Sequence, residues 1–217
     1  MARRDDSGAV WPALPGSAPG QTIGLYGGSF NPAHDGHAHV GNIALRRLEL
    51  DWLWWLVTPG NPLKDTGELA PLENRMRDAR ALTRNPRVKV LSIEADIGVA
   101  RTLDTIDWLQ QRVLHARFVW VMGADNLASF HRWHGWRDIA ATIPLAVVDR
   151  PGYTRAALAS PAARTLERFR LGEGDAAMLA HLTPPAWTFL RGPLNPLSST
   201  QLRQNRADAA QKSQDRE

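Results

Sequence analysis

The stretch YGGSFNPAHDGHAHVG, residues 26–41, decides the fold prediction for this chain. It follows the apolar run TIGLYG, which predicts a buried strand, and it leads into HAHVGNIALRRLEL, where apolar residues recur at helical spacing. Glycine at the end of a strand lets a ligand approach the backbone closely, and the free N–H groups of a helix start favour an anion. The sequence therefore predicts an anion-binding loop between a first strand and a first helix.

The same alternation of strand and helix continues along the chain. Further strands are predicted in WLWWLVTP (52–59), VKVLSI (88–93), RFVWVMGAD (117–125), IPLAVVDRPG (143–152) and WTFLRG (187–192), and helices in ENRMRDARALTR (73–84) and TLDTIDWLQQRVL (102–114). Strands that are apolar throughout, rather than alternating, are typical of a parallel sheet buried on both faces. The pattern predicts an α/β fold, a doubly wound Rossmann-like parallel sheet with helices on both faces. Residues 153–185 show no clear pattern.

Length and composition limit the function classes. The 217 residues suit one domain, which we place at 21–203, after a flexible lead-in (1–20) and before a polar tail (204–217). The chain has no cysteine, which excludes disulfides, thiolate metal sites and a cysteine nucleophile and fits the cytoplasm. Its net charge is +4, but the sequence contains no block of basic residues. No apolar stretch approaches the roughly 18 residues of a membrane span. We expect neither a nucleic acid nor a membrane as a partner.

The histidines of the first stretch carry the chemistry. His34 and His37 lie three residues apart, so both face one side of a helix start, where imidazoles can donate hydrogen bonds to phosphate oxygens. The loop is neither a P-loop nor a G-x-G-x-x-G dinucleotide fingerprint. A zinc site is disfavoured because no partner ligand stands at a recognised spacing. His39 is interpreted as incidental, and the histidine pair as part of a polyphosphate site.

Two separate segments resemble the signatures of one superfamily. GGSFNPAHDGH (27–37) resembles the G-G-T-F-D-P-x-H-x-G-H signature of the nucleotidyltransferases that are named for their H-x-G-H motif, although Ser29 and Asn31 replace the commoner Thr and Asp. SSTQLR (198–203) resembles their second signature, S-S-T-x-[IL]-R. The segments NPLK, RTLDT, GADNLASFHRWHGW and AVVDRPGY resemble the bacterial nicotinate-nucleotide adenylyltransferases in particular. The resemblance spans about residues 22–203.

The resemblance implies an activity and its partners. Such enzymes transfer AMP from ATP to nicotinate mononucleotide in NAD biosynthesis, forming deamido-NAD and pyrophosphate. They require Mg²⁺, which we expect the ATP phosphates to carry without a metal site on the protein. Two other interpretations stay open at this point: an adenylyltransferase for nicotinamide mononucleotide or pantetheine phosphate, and a nucleotide sensor without catalysis. A homo-oligomer is also left open.

Carried over position by position, the resemblance also implies the site residues. The predicted catalytic residues are His34, His37, Lys64 and Arg203. The predicted ATP-binding residues are Gly27, Gly28, Ser29, Phe30, His34, His37, Asp125, Ser199, Thr200 and Arg203, and those for nicotinate mononucleotide are Lys64, Thr102 and Trp133. Thr102, Asp125, Ser199 and Thr200 could instead be helix caps, and most of the other tryptophans, such as Trp52, Trp54 and Trp55, are expected in the core.

Overall fold

A seven-stranded parallel sheet forms the centre of the molecule. The computed structural model describes residues 13–60 and 69–193, together with the backbone of residues 3–4 and 10–11. The strands are β1 (Arg3–Arg4), β2 (Val10–Trp11), β3 (Thr22–Gly28), β4 (Trp52–Val57), β5 (Val88–Leu91), β6 (Arg117–Gly123), β7 (Leu145–Val148), β8 (Arg170–Leu171) and β9 (Trp187–Leu190). The first two form a small antiparallel ribbon, and the other seven lie in the order β5-β4-β3-β6-β7-β9-β8.

Helices connect the strands and cover both faces of the sheet. They are α1 (Asp35–Arg47), α2 (Leu72–Leu82), α3 (Ile93–Ile97), α4 (Thr102–Arg112), α5 (Ala124–Ser129), α6 (Trp136–Thr142), α7 (Thr154–Leu158) and α8 (Pro161–Thr165), with 3₁₀ segments at Phe130–Arg132, Glu167–Phe169 and Glu173–His181. Within the described part of the chain, no helix has both the length and the apolar character that crossing a bilayer requires.

The core has two layers, one on each face of the sheet. Successive residues of a strand point to opposite faces, and Trp54 and Trp55 show this directly: both are buried, but Trp54 packs in one hydrophobic cluster and Trp55 in the other. The first cluster includes residues of α4 and α6, and the second includes residues of α1 and α2. The predicted fold class is confirmed.

The order of the strands locates the binding edge of the sheet. From β3 the chain continues to β4 and β5 on one side and later returns to β6 on the other side. Open parallel sheets bind ligands beyond the carboxyl ends of the strands, at the point where the order reverses. The loop after β3 and the start of α1 lie at that point, so the fold places the first signature where a ligand is expected.

Several sequence predictions need correction. The strand predicted in VKVLSI ends at Leu91, and Ile93 already begins α3. The first helix, predicted to open at Gly36, begins one residue earlier, at Asp35, because His34 caps it. Trp52 is only half-buried, since it lies at the start of β4 with the ammonium group of Lys89 over its ring.

The unpredicted region 153–185 folds into short elements. It contains two five-residue helices, the two-residue strand β8 at the edge of the sheet, and a long 3₁₀ segment. Elements this short carry too little periodicity to be recognised in a sequence. The domain limits at residues 20 and 203 stay a prediction, and the predicted tail lies outside the described residues.

Candidate active site

The loop after β3 is fixed by close packing beneath it. A Cβ atom on Gly27 would lie only 2.8 Å from the indole ring of Trp120 on the neighbouring strand β6, so no larger residue fits without a shift. Phe30 has a φ of 47°, a left-handed conformation that costs a non-glycine residue about 1–3 kcal/mol. Its buried ring stacks on Trp55, with the centroids 5.1 Å apart, and this packing holds the strained backbone in place. The loop therefore has one well-defined shape, in which the side chain of Phe30 belongs to the core.

The two histidines of the motif form the N-terminal cap of α1. His34 is the N-cap residue, and its Nδ1 accepts a hydrogen bond from the backbone N–H of Gly36 at 3.1 Å. Nδ1 of His37 accepts from the backbone N–H of His34 at 3.2 Å, which completes a reciprocal capping box. The two rings lie with their centroids 4.0 Å apart, and both side chains are buried. The backbone thus sets the position and orientation of both imidazoles.

These hydrogen bonds also determine which ring nitrogen carries the proton. Because Nδ1 accepts in each ring, the neutral imidazole has its hydrogen on Nε2, which is then a donor. Burial, and to a smaller extent the nearby charge of Arg150, lower the pKa of His34 to about 4, although Asp35 opposes the shift. The unliganded protein therefore presents His34 at neutral pH as an uncharged Nε2–H donor.

That donor is buried and unsatisfied. Nε2 of His34 has no hydrogen-bond partner among the described residues. An unpaired buried polar group costs about 1–3 kcal/mol, so such groups are rare unless they serve a function. A phosphate oxygen next to the ring would satisfy the donor. The arrangement can hold an anion without any transfer of a proton.

Asp125 and Arg150 form a second part of the site, at the ends of β6 and β7. Oδ2 of Asp125 lies 3.6 Å from a terminal nitrogen of Arg150, and Oδ1 of Asp125 is buried without a partner among the described residues. The N-cap of α5 is Gly123, so the interpretation of Asp125 as a helix cap is wrong. Sequence reasoning assigned no role to Arg150. Its position near the carboxyl end of a predicted strand, in the segment AVVDRPGY, was the available signal.

Thr102 and Trp133 lie on neighbouring elements. Thr102 is the first residue of α4, whose N-cap is Arg101, so the interpretation of Thr102 as the cap is wrong. Trp133 is half-buried and meets the rings of Trp120 and Phe130 edge-on. The turn that follows Trp133 packs against the start of α4: the Cβ position of Gly135 is 3.6 Å from a methyl group of Leu103. Their contacts with a ligand stay predictions.

The remaining predicted site residues cannot be placed. Lys64, Ser199, Thr200 and Arg203 lie outside the described residues.

Ser29 is described, and its carbonyl oxygen accepts a hydrogen bond from Arg75, a buried residue that the sequence analysis did not single out. Within residues 13–60 and 69–193 there is no group of three or more His, Asp or Glu side chains that could hold a metal ion.

A parallel sheet with an anion-binding loop at its switch point, lined by backbone-oriented imidazoles, defines the class of α/β nucleotide-binding proteins. Within that class, the chain belongs to the cytidylyltransferase-like family, whose model matches residues 25–205. The match includes both signature segments and extends over most of the chain.

Curated relatives are similar to this chain over most of their length. The chain is 57% identical over 181 residues to a protein of Rhizobium meliloti (strain 1021), covering 83% of this chain and 96% of that protein. It is 56% identical over 182 residues to a protein of Brucella abortus (strain 2308), covering 84% of this chain and 94% of that protein. Both relatives bear the name "Probable nicotinate-nucleotide adenylyltransferase".

Solved structures share the fold. The nicotinic acid mononucleotide adenylyltransferase of Plasmodium falciparum, complexed with NaAD, superposes with a TM-score of 0.65 at 14% identity, covering 85% of this chain and 83% of that chain. The same enzyme complexed with APC gives a TM-score of 0.64 at 13% identity. At this identity the likeness concerns the fold.

Proposed function

We propose that this protein is a nicotinate-nucleotide adenylyltransferase, which transfers AMP from ATP to nicotinate mononucleotide and forms deamido-NAD and pyrophosphate in NAD biosynthesis. Relatives of that name match most of the chain at more than half identity. The structural observation that carries the proposal is the buried Nε2 donor of His34, which has no partner among the described residues and lies beside His37 at the switch point of the sheet.

The reaction needs positioned donors rather than a base. The attacking 5′-phosphate of the mononucleotide is already ionised at neutral pH. One of its oxygens bonds to the α-phosphorus of ATP, the bond from that phosphorus to the bridging oxygen breaks, and pyrophosphate leaves with the electron pair. Negative charge grows on the oxygens during this displacement, and fixed donors in a buried site stabilise it. Nε2–H groups of His34 and His37, oriented by backbone hydrogen bonds, supply such donors at the α-phosphate.

The leaving pyrophosphate needs further positive charge. In this proposal Lys64 and Arg203 offset that charge, and Ser199 and Thr200 bind the β- and γ-phosphates. We further propose that Mg²⁺ comes bound to the ATP phosphates, where it would neutralise part of their charge.

Asp125 is suited to the sugar of the nucleotide. Arg150 holds one carboxylate oxygen, and the other is buried without a partner among the described residues. A ribose hydroxyl would donate to that oxygen. The charge of Asp125 is balanced by the ion pair, so the carboxylate can lie near an anionic ligand at little electrostatic cost.

Selectivity for nicotinate would arise at the start of α4. Nicotinate carries a carboxylate where nicotinamide carries a neutral amide, and a helix N-terminus favours a negative group. The N-cap Arg101 provides no side-chain cap bond to the first N–H groups of α4, and in this proposal these groups bind the carboxylate. Thr102 begins this helix, and Trp133, on the adjoining turn, would stack on the pyridine ring.

The proposal includes a location in the cytoplasm. A chain without cysteine needs no oxidising compartment to fold. Cell fractionation followed by immunodetection checks this part, and recovery of the protein in the periplasmic or envelope fraction would contradict it.

A substrate panel tests the proposed activity. Purified protein with ATP and Mg²⁺ receives nicotinate mononucleotide, nicotinamide mononucleotide or pantetheine phosphate, and pyrophosphate release is followed together with the mass of the product. We expect deamido-NAD to form fastest, at least about tenfold faster than NAD at equal substrate concentration. Equal rates with the amide would contradict the specificity, and ATP binding without any pyrophosphate would favour a nucleotide sensor.

A further inference from the structure

Arg75 is a buried cation that the proposed reaction does not yet use. It lies in the first turn of α2 and is only 2% exposed. Its guanidinium group donates to four backbone carbonyl oxygens: those of Ala70 (2.8 Å), Ser29 (2.7 Å), Thr58 (2.7 Å) and Pro59 (3.1 Å). Four of its five N–H donors are therefore satisfied by the main chain.

These carbonyl groups come from three segments at the carboxyl edge of the sheet. Ser29 belongs to the loop after β3, Thr58 and Pro59 follow β4, and Ala70 precedes α2. One further bond joins the same segments, since the side-chain oxygen of Asn31 accepts from the backbone N–H of Ala70 at 3.2 Å. The guanidinium group of Arg75 thus joins the loop after β3 to the segment that follows β4 and to the start of α2.

Among the described residues, Arg75 has no ion-pair partner. None of the salt bridges within residues 13–60 and 69–193 includes Arg75, and burial lowers its pKa with no acidic partner acting on it. Burying an arginine without a carboxylate is costly, and an apolar side chain could fill the same space. An apolar side chain could not, however, form the hydrogen bonds that Arg75 donates to the carbonyl oxygens. Lysine could not replace them either, because its ammonium group has three donors and no planar fork.

We propose that Arg75 is a positioning residue for the phosphate-binding loop. By holding the carbonyl of Ser29, it fixes the backbone of residues 28–31 and, through this loop, the place of the His34 ring that caps α1. Its positive charge also lies behind a loop that receives a triphosphate. This inference rests on the proposed function and adds to it a residue that acts through the loop rather than on the substrate.

The test compares Arg75→Ala and Arg75→Lys with the control Arg77→Ala. Arg77 is on the same helix, but its side chain is 70% exposed and, within the part of the chain that the structure describes, its ion pair is with the neighbouring Asp78. We expect Arg75→Ala to lose about 100-fold in kcat/KM for ATP, mostly in kcat, because small displacements of reacting groups have effects of this size. The KM for nicotinate mononucleotide should change less than about threefold, and Arg77→Ala should stay within about twofold of the wild type.

Guanidinium ion provides a readout that a merely structural role would not give. At about 20 mM, far below denaturing concentrations, it should enter the space left in Arg75→Ala and restore activity by about fivefold or more. It should leave Arg77→Ala unchanged. Arg75→Lys should keep part of the loop contacts and lose about tenfold. Circular dichroism and thermal melts establish the folded fraction, so that each rate is expressed per folded molecule.

Several outcomes would overturn the proposal. It is wrong if folded Arg75→Ala turns over like the wild type, if guanidinium restores nothing, or if neither Arg75 variant folds. Calorimetric titration with α,β-methylene-ATP gives a second readout, with an affinity loss of about tenfold expected for Arg75→Ala. A wild type that binds the analogue but forms no product from ATP and nicotinate mononucleotide would contradict the proposed reaction. The affinities of the variants for the analogue would still test the role of Arg75.

Discussion

The loop after β3 and the loop after β6 both carry candidate site residues, but they hold them in different ways. His34 and His37 are oriented by backbone N–H groups from within the same short motif. Asp125 is held instead by Arg150, which comes from the end of a different strand. The histidine arrangement is formed by residues that are close together in the sequence. The pair of Asp125 and Arg150 forms only when β6 and β7 pair in the sheet. Chemistry of the first kind can be recognised in a sequence, whereas the second kind requires the fold.

The largest effect should come from the local arrangement. His37→Ala removes a donor that the capping box has placed in advance, and we expect kcat to fall by about 10²–10³-fold. His39→Ala is the matched control, because His39 lies on the same helix and bonds to the carbonyl of Pro193 rather than to the motif. The control should keep its activity within about threefold.

Steady-state rates and thermal melts check this prediction together. The His37 ring also packs against Phe30, so a moderate loss of stability is expected, of about 1–2 kcal/mol. A folded His37→Ala protein with more than a tenth of the wild-type kcat would show that the histidine pair is not central to the reaction.

The long-range arrangement should respond less strongly. Arg150→Met removes the partner of Asp125, and we expect the KM for ATP to rise about tenfold, because the half-buried carboxylate loses its orientation and its counter-charge. Asp125→Asn tests the other member of the pair. In a double-mutant cycle the two changes should be non-additive by about 1 kcal/mol, and strict additivity would mean that the pair does not act as a unit.

The same difference between local and long-range arrangements explains which features of the fold and of the site could be predicted from the sequence. Six of the seven strands of the main sheet were predicted, because each contains an apolar run that can be recognised without its neighbours, whereas the two-residue strand β8 does not. The role of Arg75 could not be predicted, since the residue occupies an ordinary polar position in ENRMRDARALTR and its carbonyl partners come from other segments. The start of α1 was misplaced because histidine is not among the residues that usually signal an N-cap.

A smaller effect is expected at the start of α4. Thr102→Val keeps the shape of the side chain but removes its hydroxyl, and the KM for nicotinate mononucleotide should rise by about three- to tenfold with little change for ATP. Since Arg101, and not Thr102, is the N-cap, the substitution should leave the melting temperature nearly unchanged. An equal rise of both KM values would contradict a specific role for Thr102 in binding the mononucleotide.

The smallest effect concerns stability and pH. The folded protein holds His34 at a pKa of about 4, below the usual value of 6.5, so above pH 6.5 both folded and unfolded states are neutral at this residue. As the pH falls from 6.5 towards 4, the unfolded state binds a proton that the folded state excludes, and the free energy of unfolding decreases. Denaturant unfolding at pH 7.5 and pH 5 should show a smaller decrease for His34→Asn than for the wild type. Equal decreases would mean that His34 titrates normally.

In the proposed reaction, the neutral imidazoles of His34 and His37 donate from Nε2 to the triphosphate of ATP. A crystal structure of the complex with α,β-methylene-ATP and Mg²⁺ tests this most directly. We expect both Nε2 atoms within about 3 Å of oxygens of one triphosphate, with Nδ1 of each ring still accepting from the backbone. A triphosphate bound elsewhere, with Nε2 of His34 still buried and without a partner, would contradict it.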